Sequence, residues 1–165
     1  MSFSLWGRSI GEEPSARMIR LAWGPAGGEE GRRLGVAPDT TVARLVRLRF
    51  LGARPVMVER ATYPEDLGRI VAATNTDHQS ITETLTGHGY VFTRASHTID
   101  ALGANTEDAG LLAVRRGSAL LRARRLTSDP TGRGLEWSDD RYRADAVAFT
   151  VLNYADANNL SRHLR

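Results

Sequence analysis

The chain has 165 residues, 41% of them hydrophobic and 25% charged, and no cysteine. That suffices for one domain with its own continuous core, and it excludes disulfide scaffolds, thiolate catalysis and cysteine-based zinc sites. The net charge is only +3 although the sequence pI is 9.9, because all 22 basic residues are arginine; with acids interspersed throughout, this is the bias of a GC-rich genome rather than a clustered nucleic-acid-binding face.

The first fourteen residues have no apolar signal-peptide core, and Glu12 and Glu13 stand where one would lie. Nowhere does the chain approach the roughly 18 apolar residues of a membrane helix, so a soluble cytoplasmic protein without membrane contact is expected. Residues 17–23 alternate as a strand that Gly24-Pro25-Ala26-Gly27-Gly28 ends. Residues 29–34 form a short helix; the dipole favours Glu29 and Glu30 in its first turn, and Gly35 stops it. Residues 41–51, rich in Val, Leu and Arg, form a strand that Gly52-Ala53 turns into a second one over 55–63. Pro55 has no N–H to give a ladder, so it marks an edge or a bulge. Helices follow over 65–73 and 78–86, with His78 as a capping residue and Gly87 closing the second, then a long alternating strand over 90–101. Asn105 or Thr106 caps a helix running to Leu112, and residues 119–127 and 135–143 pair across Pro130-Thr131-Gly132. A strand over 146–152 and a helix over 155–164 complete the chain.

Residues 30–48 resemble residues 108–126 at a constant offset of 78, pairing Leu34 with Leu112, Val36 with Val114, Arg44 with Arg122, Arg47 with Arg125 and Leu48 with Leu126. Each copy reads as short helix, tight turn, arginine-bearing strand and return strand. Two such halves predict an α+β fold, a pseudo-symmetric antiparallel sheet with helices packed on it, rather than βαβ crossovers. A ligand pocket belongs between them.

Signals for catalysis are missing. There is no glycine-rich phosphate loop, no nucleophile elbow and no His-Glu-x-x-His. His78, His88, His97 and His163 are too scattered for a metal site, and His97 reads as a structural strand residue. No cofactor or metal is expected.

Two stretches carry a family pattern: Leu45-Val-Arg47-Leu48-Arg49-Phe-Leu-Gly52 continuing to Pro64, and Gly132-Arg-Gly-Leu-Glu136-Trp-Ser138-Asp-Asp-Arg-Tyr142-Arg143-Ala-Asp145. With Ser2-Phe3-Ser4, Gly11 and Leu34-Gly35-Val36, they resemble the UTRA effector-binding domain of GntR-type transcription regulators of the HutC subfamily. The resemblance covers nearly the whole chain. It implies a chorismate lyase-like fold and a domain spanning residues 1–165. It also implies a homodimer and an N-terminal winged-helix DNA-binding domain that lies outside this chain and alone touches DNA.

Arg47 and Arg49 lie two apart on a strand, so both guanidiniums point to one face and suit a phosphate or carboxylate. As a bare strand pattern that face could equally be solvated and ion-paired; the resemblance implies that the Arg-x-Arg pair holds the ligand's anion. Glu59, in the return strand, would receive an amine or hydroxyl, or else form an ion pair. Ser80 stands at a helix start, either as an ordinary cap or as an anion site. The resemblance places Thr82, Glu136 and Tyr142 at the ligand as well, with Phe3 and Ser4 folding over it. Thr82 departs from the Tyr of sugar-phosphate-binding members, and Ala146 from the Arg that usually follows Arg143-Ala-Asp145, itself read as an ion pair. The expected function is to sense a small anionic metabolite, a sugar phosphate or organic acid, and so modulate DNA binding. The alternatives are a chorismate lyase-like enzyme and a dimerisation module with a degenerate pocket.

Overall fold

Side chains of alternating parity along each strand part the apolar residues between two faces of one sheet. The computed structural model describes residues 2–151. In chain order the elements are α1 (Phe3–Ser9), β1 (Pro14–Pro25), α2 (Gly28–Leu34), β2 (Thr41–Leu51), β3 (Arg54–Pro64), α3 (Glu65–Ala73), α4 (Ile81–Gly87), β4 (Arg94–Gly103), α5 (Thr106–Leu112), β5 (Ala119–Ser128) and β6 (Gly134–Arg143). The six strands form one antiparallel sheet in the order β1-β2-β3-β6-β5-β4. The repeat seen in the sequence maps onto α2-β2-β3 and α5-β5-β6, whose return strands β3 and β6 pair at the centre along six rungs, Met57↔Tyr142 to Thr62↔Trp137.

Parity decides which helix each strand residue meets. Leu45, Ala61 and Tyr63 pack with Leu67 and Val71 of α3 and Ile81 and Leu85 of α4 on one face. On the other, Val46, Leu48 and Val58 pack with Ala109 and Leu112 of α5, and Val42 packs with Leu34 of α2. Each fully buried leucine contributes about 1.5–3 kcal/mol relative to exposure. The α3 face is fitted closely: a Cβ on Gly68 would stand 2.5 Å from Ala43 Cβ and 3.0 Å from the Trp23 ring. Gly68→Ala is therefore expected to destabilise by about 1–2 kcal/mol in urea unfolding, overpacking outweighing the better helix propensity. An unchanged midpoint would mean that α3 can lift off the sheet freely.

Local chemistry sets the boundaries. The Asn105 side chain accepts the Asp108 N–H at 2.7 Å, and Gly35, at φ 69°, ends α2 in the left-handed conformation. In the first hairpin Leu51 faces Arg54 and Phe50 faces Pro55, but Arg49 then faces Met57, so Val56 is an extra residue and Pro55 marks a bulge.

Three expectations need correction, and one element was missed. The second helix starts at Ile81, because the Ser80 hydroxyl accepts the Glu83 N–H at 3.3 Å; His78 lies ahead of that cap and is not part of it. The strand expected from residue 90 starts at Arg94, since the Tyr90 N–H is taken by the Leu85 carbonyl and its ring packs with Phe92 on the α3–α4 cluster. Residues 146–151 are not a strand: the Ala146 N–H turns back to the Arg143 carbonyl, and Phe149 sets its ring edge-on to Tyr142 at 5.3 Å. Helix α1, not anticipated at all, is capped by Ser2 and lies on Pro14 and Leu51 through Gly7. The helix expected over 155–164 lies outside the described residues.

Candidate functional site

On its α3–α4 face the sheet brings Arg47 and Arg49 of β2 beside Glu59 of β3. The bulge at Val56 makes this so. Without it, a hairpin closed at Gly52-Ala53 would set Glu59 opposite Val46, on the α5 face; the extra residue slips the register by one and sets Glu59 opposite Arg47. Arg47 donates from Nε and Nη2 to the Glu59 carboxylate at 2.8–3.2 Å, and from Nη1 to the Thr76 carbonyl at 2.9 Å. Arg49 donates from Nη1 to Glu59 Oε2 at 3.1 Å and from Nη2 to Ser4 Oγ at 2.9 Å, and its guanidinium lies 4.4 Å over the Phe3 ring. All three charged groups are buried.

A second set comes from the other half of the sheet. Arg125 of β5 pairs with Glu136 of β6, which also accepts the Tyr63 hydroxyl at 2.9 Å. Asp140 and Tyr142 follow along β6 on the same side. Together with α1, Ser80, Thr82 and residues 147–150, these groups enclose a cavity of about 410 Å³. A smaller recess of about 210 Å³ adjoins it across Thr82, His97, Arg125 and Glu136.

Its electrostatics are unequal. Burial alone would raise the Glu59 carboxyl, but Arg47 and Arg49 outweigh it and hold Glu59 at about 2. Burial pushes Asp140 up to about 8; Arg125 opposes this, while Glu59 and Glu136 add to it. Burial and Glu136 also raise Tyr63 well above its ordinary value, keeping it a hydrogen-bond donor. His97, at the rim, is lowered by partial burial and by Arg125. Nε of Arg49 and of Arg125 are buried without a hydrogen-bond partner among the described residues. Among the described residues no cluster of His, Asp and Glu could hold a metal ion, and no helix is long and apolar enough to cross a membrane.

All nine positions singled out from the sequence line this one cavity: Phe3, Ser4, Arg47, Arg49, Glu59, Ser80, Thr82, Glu136 and Tyr142. Glu59 takes the ion-pair alternative, and Ser80 both caps α4 and faces the cavity. Arg143 and Asp145 form their ion pair, Nε and Nη2 each donating at 2.9–3.0 Å, with no part in the cavity wall. Sequence reasoning gave no ligand-site role to Trp6, Tyr63, His97, Arg125 or Asp140, which also line it. Arg125 had a signal, since it repeats Arg47 at the offset of 78. Asp140 had one too, at period-two spacing from Glu136 and Tyr142 in the strand predicted over 135–143; His97 had none.

This architecture is that of effector domains of bacterial GntR-type regulators. It superposes on the effector domain of PhnF from Mycobacterium smegmatis with a TM-score of 0.87 at 21% identity, covering 93% of this chain and 95% of that one. The chain belongs to the UTRA domain family, whose model matches residues 9–148. It is similar to an HTH-type transcriptional regulator of Rhizobium meliloti (strain 1021), 29% identical over 87% of this chain and 58% of that protein. It is also similar to the HTH-type transcriptional repressor NagR of Bacillus subtilis (strain 168), 25% identical over 90% of this chain and 60% of the repressor. The chain thus spans about three fifths of the length of these curated relatives. Both relatives are named as transcription regulators, in line with the expected regulator domain and not with the chorismate lyase-like alternative.

Proposed function

We propose that this domain senses a small anionic metabolite, a sugar phosphate or an organic acid, in the cavity between the two sheet halves. Occupancy then modulates DNA binding by a winged-helix domain of the whole regulator, a cytoplasmic homodimer of the HutC type. The single observation that carries this reading is the convergence of the nine positions singled out from the sequence, from Phe3 to Tyr142, on one cavity large enough for a small metabolite. A degenerate dimerisation module would have no need to keep that volume open.

The arginines share the work unequally. Arg47 is spent on Glu59 and the Thr76 carbonyl, so it holds Glu59 in place. Arg49 also gives one N–H to Glu59 and one to Ser4 of α1, but its Nε has no partner among the described residues, so it is the guanidinium that a ligand meets, and the hydroxyls of Ser80, Thr82 and Tyr142 suit ligand hydroxyls.

The test is a thermal-shift screen of phosphorylated sugars and organic acids. Ligand at about 100 times its Kd stabilises by about 2.7 kcal/mol. Arg49→Ala is expected to abolish that shift, and so is Arg47→Ala combined with Arg49→Ala. A shift that survives Arg49→Ala removes the arginine from the site, and no shift with any anion in wild type removes the ligand class.

A further inference from the structure

Three guanidiniums and three carboxyls meet at the cavity: Arg47, Arg49 and Arg125 against Glu59, Glu136 and Asp140. Five of them pair with each other. Glu59 takes Arg47 and Arg49, and Glu136 takes Arg125. Asp140 is left over. It is 2% exposed; among the described residues its Oδ2 meets only the Ser138 hydroxyl, at 3.2 Å, and its buried Oδ1 has no hydrogen-bond partner. Directly opposite it across the β3–β6 seam is Glu59. That is where two like charges in a ladder repel most.

We propose that Asp140 is a specificity-determining residue of this cavity: it meets the ligand as a neutral carboxyl and so leaves the wall one net positive charge, which selects a singly charged anion. The proposal rests on the reading of the cavity as the effector site. Three guanidiniums then face two carboxylates, and an ionised Asp140 would cancel the surplus. A neutral carboxyl also carries an O–H, so it adds a donor for a ligand oxygen. The charged and titratable groups around it are Arg47 and Arg49 from β2, Glu59 and Tyr63 from β3, His97 from β4, Arg125 from β5, and Glu136 and Tyr142 from β6. Its protonation follows from burial, which Glu59 and Glu136 reinforce and which Arg125, already engaged by Glu136, does not overcome.

Carboxyl-labelled aspartate NMR of the domain tests this, with the Asp140 resonance assigned by its loss in Asp140→Asn. The probe is glucose 6-sulfate at millimolar concentration, a monoanion at every pH used. Asp140 is expected to titrate far above an ordinary aspartate, and higher still with the probe present. Probe affinity should fall about tenfold or more from about pH 6.5 to about pH 9.5, the effect of one added charge nearby. Asp140→Asn should keep the affinity seen at the lower pH and lose the dependence. An Asp140 already ionised at about pH 6 overturns the proposal, as does a pH dependence that survives Asp140→Asn. If Asp140 keeps its proton but the probe neither binds nor moves its titration, the effector-site reading is what failed, and the proposal falls with it.

Discussion

Glu59→Ala is expected to cost about 3–5 kcal/mol of folding stability, the range for removing one partner of a buried ion pair. The substitution leaves two arginines, 2% and 4% exposed, side by side without the carboxylate that both are bonded to. Against the roughly 5–15 kcal/mol that hold a domain of this size together, that is a large share. Glu59→Gln, which keeps the shape and one acceptor, is expected to lose less. Acid should act on the same group with a definite sign. The folded carboxyl is held at about 2 against an ordinary 4.5, so its contribution is present above 4.5 and is lost as pH falls through 2. Urea unfolding at neutral pH checks the substitution; a loss below about 1 kcal/mol would mean that water already reaches the pair.

Wild-type stability is expected to decline as pH rises from about 6 to about 8, and Asp140→Asn is expected to abolish the decline. The sign follows from the raised carboxyl. Folded Asp140 titrates at about 8 against an ordinary 3.8, so the folded state keeps a proton that the unfolded chain has released. Its stabilising contribution is complete below 3.8 and is lost progressively as pH climbs to 8. Between those limits a single such group costs at most about 1.4 kcal/mol per pH unit. His97 works in the opposite direction, because its lowered value makes stability fall as pH drops below its ordinary 6.5. The variant should therefore be the more stable protein at about pH 8. Thermal unfolding of both proteins across this range decides it; parallel curves would show that Asp140 is ionised in the native state.

Much of the frame was legible in residue order because it rests on local rules. Gly52-Ala53 between two apolar runs specifies a hairpin, Asn105 a helix start, Gly35 a helix end. The offset of 78 foretold the two halves, and even its acids correspond. Glu30 of α2 holds Arg44 of β2 and Thr62 of β3, while its counterpart Asp108 of α5 holds Arg60 of β3 and Arg141 of β6. What was hidden depended on contacts between distant segments. Helix α1 has seven residues and little propensity of its own; it is held by Arg49, Pro14 and Leu51. Alternation over 146–151 looked like a strand, but those side chains cover a cavity instead of joining a ladder. Period-two spacing put Arg47 and Arg49 on one face, yet their pairing with Glu59 hangs on one residue of slip, which Pro55 hinted at without specifying. Period-two spacing also put Asp140 on the face of Glu136 and Tyr142, but only the seam between halves brings it opposite Glu59.

That seam is the narrowest joint in the sheet, and one of its six rungs is the pair Glu59 and Asp140. Backbone bonds that fasten the duplicated halves and the side chains facing the hollow therefore belong to the same few residues. A mutation that retunes what the hollow prefers will also tug at the weld, so changes in preference and in cohesion should arrive together.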